Sequence, residues 1–311
     1  MKNYTVKGNR IKEKDNVYTI SVFILLIVFV VFEIYLLFWG AITVFKDKWD
    51  FADNVLGLPE KWVFTNLKDV MQSMSVSINK TKIMVINGVP RKINTIEQVY
   101  FSRMVYNSLV WTLGGTLIAS VGPLLMGYCM GRFDYKFNGI LNGIIIFSMS
   151  FSLVGGAGST IQFRKMLGIF DNIYGEIFMA FGWCSINTMM YAGLFGGVSR
   201  EYQEAARIDG ANEFTIMFRI MLPFARNLYG TYFLIRIIGA WNQYDQIIYL
   251  LPSYPTVSYA TYLMSVSKDV NLADTPHRMA TAVLMVLPMT VIFIIFRDKF
   301  LNNTSIGGVK G

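Results

Sequence analysis

The sequence predicts an all-α integral membrane protein with six transmembrane helices, and three observations support this class. Hydrophobic residues make up 54% of the 311-residue chain, and charged residues make up only 15%, compared with about 25% in soluble domains. The apolar residues are grouped into blocks of about 20 residues, the length that a helix needs to cross a bilayer. Lysine and arginine lie mainly between these blocks, which is typical of membrane topology and not of nucleic-acid binding.

Each predicted span is a long apolar stretch with few charges, bounded by polar or basic residues. The six spans are residues 17–45, 107–130, 138–160, 174–198, 222–251 and 279–296. Residues 107–296 therefore form a core of five spans behind an N-terminal spanning helix. Within the third span, the glycine-rich stretch 155–160 is expected to end or unwind the helix.

The distribution of basic residues predicts that both termini are cytoplasmic. With that orientation the inner segments, including residues 1–16 and 297–311, carry fourteen Lys and Arg, and the two short outer loops carry three. Short cytoplasmic loops retain positive charge, so the sequence favours this topology in a cytoplasmic membrane.

The segment 46–106 would then be extracytoplasmic and is long enough to have structure of its own. It contains an Asn87-Gly88 pair between short apolar stretches, a common signal for a β-hairpin turn. A small hairpin and a solvated loop that folds only against a partner both remain open.

The loop 199–223, between the fourth and fifth predicted spans, has a pattern of two short helices. The first helix continues through Ala205 and Ala206 and stops at Gly210, which is expected to adopt a left-handed conformation. A second short helix begins near Asn212, and Pro223 breaks or begins the next element. Two short helices meeting at a glycine would form a compact protrusion, here called the knob (residues 199–223), on the cytoplasmic face.

Seven positions of the knob resemble the cytoplasmic signature of binding-protein-dependent ABC importer permeases. That signature is Glu-Ala-Ala, three residues, Gly, nine residues, Ile, one residue and Leu-Pro. It is met by Glu204, Ala205, Ala206, Gly210, Ile220, Leu222 and Pro223. The resemblance implies the ABC type I permease architecture, in which this loop docks an ATPase subunit.

Further segments resemble the carbohydrate-importing branch of that family, and in particular the maltose-transporter-like second permease. They are Asn107-Ser108-Leu109, Gly127-Tyr128 with Arg132, Trp241-Asn242 and the terminal residues 307–311. The resemblance implies import of a sugar or oligosaccharide by alternating access. It implies as partners a second permease subunit, two ATPase subunits that hold ATP and Mg, and an extracytoplasmic solute-binding protein.

The sequence contains no Gly-x-x-x-x-Gly-Lys-Ser/Thr motif, so this chain is not expected to hydrolyse ATP or to have catalytic residues. One histidine and two cysteines offer no metal cluster. A membrane hydrolase using Ser159 and His277 is a weaker alternative, because a nucleophile needs an oriented base. A secondary transporter is a closer alternative, which dependence on ATP would distinguish.

Polar residues within the spans are candidates for function because charge is costly in a bilayer. Glu33 and Arg236 are expected either to pair across helices or to be packed in the interior. In the fifth span Trp241, Asp245 and Tyr249 recur every four residues, with Asn242 beside them. This face either lines a sugar path or belongs to the aromatic belt at the membrane surface.

Overall fold

The computed structural model describes residues 17–86, 89–150, 156–266 and 274–301, and most of these residues are helical. The first elements are α1 (Val17–Thr43), α2 (Lys48–Asp53), α3 (Thr65–Ser73), β1 (Ser75–Ile86), β2 (Val89–Tyr100) and α4 (Phe101–Leu109). A π-helical turn (Val110–Gly114), α5 (Gly115–Arg132), α6 (Asn138–Ser150), α7 (Gly156–Met166), α8 (Ile173–Met179) and α9 (Ile186–Gly196) follow. The last elements are α10 (Glu201–Ile208), α11 (Glu213–Thr215), a second π-helical turn (Ile216–Met221), α12 (Leu222–Asn242), α13 (Asp245–Leu250), α14 (Val257–Val266) and α15 (Thr275–Leu301).

Three helices in the described residues are long and apolar enough to cross a membrane. They are Thr19–Thr43, Phe101–Arg132 and Thr275–Phe296, and they overlap the first, second and sixth predicted spans. The apolar side chains of α1 are largely exposed between Ile20 and Phe38. An exposed apolar surface of this length requires lipid or another protein to cover it.

The third predicted span is described on both sides of residues 151–155, which lie outside the described residues. In the third, α6 ends at Ser150 and α7 begins at Gly156. The expectation of unwinding at residues 155–160 is wrong for residues 156–160, which are helical, and Gly155 lies outside the described residues. Glycine costs a helix only about 1 kcal/mol relative to alanine, so the two glycines within residues 156–160 do not by themselves unwind it.

The fourth predicted span is interrupted between α8 and α9, and the fifth between α12 and α13. The non-helical residues 180–185 pass α5 at Gly122, where an added Cβ would lie 2.5 Å from the carbonyl oxygen of Gly182. At the end of α12, Gln243 is extended and its carbonyl accepts a hydrogen bond from the hydroxyl of Ser258 (3.0 Å). The Ser258 hydrogen bond satisfies a backbone carbonyl that the end of α12 leaves free.

The segment between α1 and α4 contains an antiparallel hairpin, with β1 and β2 in register from Ser75 opposite Tyr100 to Ile86 opposite Val89. The Asn87-Gly88 pair lies outside the described residues. Val76, Ile78 and Val99 at the base of the hairpin are buried in one hydrophobic cluster with residues of α3, α4, α12, α14 and α15. Burial of one end of the hairpin fixes it to the helical core.

Close packing of α5 against α9 depends on glycines. A Cβ at Gly127 would clash with the Cβ of Tyr191 and would lie 2.8 Å from the carbonyl oxygen of Thr188. A Cβ at Gly131 would lie 2.5 Å from the carbonyl oxygen of Ala192. Small residues of this kind let two helix backbones approach closely in a membrane protein.

Gly127→Ala should therefore destabilise the protein by about 1–3 kcal/mol, because overpacking a helix interface forces backbone shifts. Gly143→Ala on α6 is the matched control, since no atom lies within 4 Å of the added Cβ and alanine is the better helix former. The measurement is the unfolding midpoint of each purified variant. Equal midpoints for the two variants would show that the α5–α9 contact is not tight.

Candidate functional site

The knob begins with α10, which ends in a Schellman motif at Gly210. The amide of Ala211 donates to the carbonyl of Ala206 (2.9 Å) and the amide of Gly210 donates to Arg207 (3.0 Å). Gly210 has φ +82°, so the left-handed conformation expected from the sequence is confirmed. The motif turns the chain sharply without leaving the last carbonyls of α10 unpaired.

The second short helix is capped by Asn212, whose side chain accepts a hydrogen bond from the amide of Thr215 (2.8 Å). An ion pair between Arg207 and Glu213 (2.8 Å) joins the two short helices across the turn. The start near Asn212 is therefore as the sequence predicts. The two helices and their cap form one compact unit at a chain reversal.

Pro223 does not break the helix that follows the knob. It is the second residue of α12, directly after the π-helical turn Ile216–Met221, in which the amide of Leu222 donates to the carbonyl of Met217. Proline has no amide hydrogen to donate within a helix, and a π-helical turn accommodates such a local mismatch. Ile220 and Leu222 pack partly buried against the hydrophobic cluster below the knob.

The knob is anchored to the bundle by Arg132, the last residue of α5. Its side chain is buried, and its Nε donates to Oε1 of Gln203 on α10 (2.7 Å). Its Nη1 donates to the carbonyls of Phe195 (3.0 Å) and Val198 (2.6 Å) at the end of α9. The side-chain amide of Gln203 in turn donates to the hydroxyl of Tyr128 (3.2 Å). One guanidinium therefore joins three helices.

The anchored side of α10 is buried, and its opposite side is exposed. Ala206 is only 7% exposed and belongs to the same cluster as Tyr128 and Phe195. Glu204 and Ala205 are exposed, and Ile208 is 86% exposed. An apolar side chain this exposed beside a carboxylate and an alanine forms a surface suited to another protein.

A second feature is a cavity of about 500 Å³ among α5, α7, α8, α12 and α13. Its wall includes an aromatic and a charged set of side chains, with two amides. These are Trp111, Arg164, Glu176, Arg236, Gln243, Gln246 and Tyr249. Aromatic faces and convergent polar groups in one cavity are typical of a small-molecule site.

An ion pair lies in the wall of this cavity. The Nε atom of Arg164 lies 2.9 Å from Oε1 and 3.0 Å from Oε2 of Glu176, and it donates its hydrogen bond to Oε2. The Glu176 side chain is only 3% exposed. The Nε1 donor of Trp111 is also buried and has no hydrogen-bond partner in the described residues.

The predicted face of Trp241, Asp245 and Tyr249 is wrong, because α12 ends at Asn242 and α13 begins at Asp245. Trp241 is buried and donates to the carbonyl of Met285 (3.0 Å), so its role is in packing. Asn242 donates to the carbonyl of Ile238, and both Asn242 and Asp245 are exposed and absent from the cavity wall. Of these four residues, Tyr249 alone lines the cavity.

Within the described residues, no ion pair joins Glu33 to Arg236, so the prediction that they pair across helices is wrong for this chain. Both residues are exposed in this chain, so interior packing is not observed either. Glu33 lies on the exposed helix α1, which packs mainly on α15, whereas Arg236 lines the cavity. The positions of the two residues along the chain do not indicate which helices pack against each other.

Ser159 and His277 both take part in local contacts. The Ser159 hydroxyl donates to the carbonyl of Gly156 (2.9 Å) on its own helix, and Nδ1 of His277 lies 2.7 Å from Oδ1 of Asp274. These contacts are typical of helix ends and do not assemble a nucleophile with a base.

Sequence reasoning missed the cavity and the anchor. Glu176 was a detectable signal, since a carboxylate inside a predicted span is costly unless paired. The sequence indicates Arg132 only as part of the family resemblance. Its anchoring role could not be predicted, because most of its partners are backbone carbonyls, which every residue has.

Arg132→Met should loosen the knob, because the carbonyls of Phe195 and Val198 and the side chain of Gln203 would lose a charged donor. Hydrogen bonds to charged groups contribute about 1.5–3 kcal/mol, so we expect faster hydrogen exchange at the backbone amides of α10. The amides of the β1–β2 hairpin provide an internal reference.

The control is Arg200→Met, which removes an exposed ion pair with Asp134 (2.7 Å) that is worth about 1 kcal/mol or less. Unchanged exchange of α10 in Arg132→Met, or equal acceleration in both variants, would contradict the anchoring role.

Comparison with known proteins gives a family for this fold. The sequence model of the family described as binding-protein-dependent transport system inner membrane component matches residues 123–303 of this chain. The arabinooligosaccharides transport system permease protein AraQ of Bacillus subtilis is 26% identical over 214 residues, which cover 68% of this chain and 75% of that protein. The maltodextrin transport system permease protein MdxG of Bacillus subtilis is 28% identical over 219 residues, which cover 69% and 78%.

A third relative, the polygalacturonan/rhamnogalacturonan transport system permease protein YtcP of Bacillus subtilis, is 25% identical over 237 residues, which cover 70% of this chain and 82% of that protein. The fold is also shared with a chain in the crystal structure of a bacterial ABC transporter involved in the import of the acidic polysaccharide alginate. That chain has a TM-score of 0.73 at 18% identity, and the match covers 94% of this chain and 100% of that one.

A further chain belongs to the structure of a bacterial alginate ABC transporter in complex with an alginate pentasaccharide-bound periplasmic protein. It has a TM-score of 0.51 at 17% identity, covering 67% of this chain and 81% of that one. The family model matches more than half of the chain and includes the whole knob. The chain therefore belongs to the family of binding-protein-dependent transport system inner membrane components, as the resemblance of its knob implied.

Proposed function

We propose that this chain is a permease subunit of an ATP-driven importer for oligosaccharides, and that its knob docks an ATPase subunit. The observation that carries the proposal is the exposed surface of Glu204, Ala205 and Ile208, presented by a helix whose opposite side is anchored through Arg132. A docking element that must transmit force needs both an exposed contact surface and a rigid base, and the knob combines the two.

Family membership and the names of the relatives support the substrate class. AraQ, MdxG and YtcP are each described as permease proteins for a saccharide transport system. Their names cover both neutral and acidic saccharides, so they support a sugar substrate without fixing its charge. The cavity, with Trp111 and Tyr249 in its wall, provides aromatic surface against which sugar rings can pack.

The proposed assembly contains this chain, a second permease subunit, two ATPase subunits and an extracytoplasmic solute-binding protein. The ATPase subunits supply ATP and Mg chemistry, since this sequence has no phosphate-binding Gly-x-x-x-x-Gly-Lys-Ser/Thr motif. The solved alginate transporter in complex with its periplasmic protein supports a binding protein as the source of substrate. In this assembly both termini and the knob face the cytoplasm, and the hairpin lies outside.

The proposed six-span topology includes interrupted spans. Helices α6 with α7, α8 with α9, and α12 with α13 would each count as one crossing. Broken helices are tolerated at membrane depth where they are buried in protein or line a cavity. The breaks beside α8 and α13 fit this condition, because both helices contribute to the cavity wall.

Alternating access would proceed by movement of the knob with the helices to which it is fixed. Closure of the ATPase subunits would displace α10, and Arg132 would pass that displacement to the ends of α5 and α9. α5 and α12 both contribute residues to the cavity and pack together at the knob's hydrophobic cluster. The same rigid contacts would therefore relate ATPase closure to the shape of the cavity.

Glu204→Ala should weaken attachment of the ATPase subunit about tenfold to 100-fold if the carboxylate makes a buried charged hydrogen bond there. Gly210→Val should misdirect the knob, because φ +82° is strained for a branched residue. The measurements are ATPase recovery on purification and sugar-stimulated ATP hydrolysis in the full complex.

Glu60→Ala is the control, since Glu60 is an exposed acid outside the knob, on the segment between α2 and α3. Normal attachment and coupling in both Glu204→Ala and Gly210→Val would rule out the knob as the docking element. Uptake that follows an ion gradient and is indifferent to ATP would instead indicate a secondary transporter.

A further inference from the structure

We propose that the cavity binds an acidic oligosaccharide and that the guanidinium of Arg236 pairs with a carboxylate of that substrate. The inference rests on the proposed function as a sugar importer and specifies the charge of the sugar. It depends on the balance of charge and hydrogen-bond donors in the cavity wall.

Arg236 is a cation in a costly position. It lies between Ile235 and Ile237 on α12, and it lines the cavity. In the part of the chain that the structure describes, it forms no ion pair. A charged side chain within a membrane protein usually pairs with an opposite charge or marks a substrate path. The anion that pairs with Arg236 is therefore expected to belong to another molecule.

The cavity's own carboxylate is not available to Arg236. Both oxygens of Glu176 lie within 3.0 Å of Arg164 Nε, so the second cation of the wall already neutralises this acid. Asp245 is the nearest acid along the chain to Arg236, but it is not part of the wall. The described lining residues therefore carry one positive charge in excess.

The uncharged polar groups of the wall also favour a ligand rich in acceptors. Trp111 is 7% exposed and contributes part of its side chain to the wall. Gln243, Gln246 and Tyr249 add further donors. A uronic acid residue matches this set, because its carboxylate can accept from a guanidinium in bidentate geometry while its ring packs against an aromatic side chain.

The test is binding to the assembled transporter in nanodiscs, monitored by tryptophan fluorescence, with Trp111→Phe used to identify the signal of the cavity. The probes are trigalacturonate and maltotriose, which are matched in ring number and differ in charge. We expect trigalacturonate to bind more tightly than maltotriose. Arg236→Gln should weaken trigalacturonate binding by about tenfold to 100-fold, the range for loss of a hydrogen bond between charged groups, and Arg236→Lys should restore part of the affinity.

Lys165→Gln is the matched control, since Lys165 is an exposed cation beside Arg164 that does not line the cavity. Its trigalacturonate affinity should equal that of the wild type. Equal binding of both trisaccharides, no detectable trigalacturonate binding, or an unchanged affinity in Arg236→Gln would overturn the inference. Reduced recovery of the second permease subunit with Arg236→Gln, at unchanged affinity, would show that Arg236 pairs with that subunit instead.

These outcomes are separable from failure of the proposed function. ATP-dependent uptake of maltotriose alone would retain the importer and reject the acidic substrate. Binding of trigalacturonate by a complex whose uptake ignores ATP would retain the charge preference and reject the ATP-driven mechanism.

Discussion

The buried guanidinium of Arg132 is the contact on which the knob's position in this structure depends. It donates to two carbonyls at the end of α9 and to Gln203 on α10, and Gln203 donates to Tyr128 on α5. The backbones of α5 and α9 also pack so closely that only glycine fits at Gly127 and Gly131. The base of the knob therefore has little freedom to move independently. A buried charge with several partners is costly to disrupt, so the network favours one geometry of the knob.

This constraint relates the two candidate functional surfaces. The exposed side of α10 and the cavity lie on elements that share α5 and α12: the hydrophobic cluster below the knob includes Leu124 and Ala225, and the cavity wall includes Gly115 and Arg236 on the same two helices. A displacement of α10 would therefore be carried along helices that reach the cavity. Packed helices respond as rigid bodies and not as a deformable medium, which suits a mechanism that alternates between two arrangements.

The sequence predicted several features from local signals, although the local glycine stretch at residues 156–160 did not unwind its helix. The apolar blocks at α1, α5 and α15, the positive φ at Gly210 and the start of a short helix near Asn212 all follow from short-range patterns. The breaks in the predicted fourth and fifth spans could not be predicted in this way, because the residues that lie against them, Gly122 and Ser258, belong to other segments of the chain. The same limit explains why Trp241 and Asp245 were placed on one face, and why the cavity, with Trp111 and Arg164 from distant segments, was not foreseen.

In the proposed mechanism, closure of the ATPase subunits reaches the cavity through the anchored knob, and ATP-dependent accessibility of the cavity in the full complex tests this route. The variant combines Tyr249→Cys with Cys129→Ala and Cys184→Ala, so that the cavity carries this chain's only cysteine. It would be labelled with a membrane-impermeant maleimide with and without ATP. We expect ATP to change the labelling rate in this complex, and we expect Arg132→Met to abolish the change while the ATPase subunits remain bound. An equal ATP-dependent change in labelling rate with and without Arg132→Met would show that ATPase closure does not reach the cavity through the Arg132 anchor.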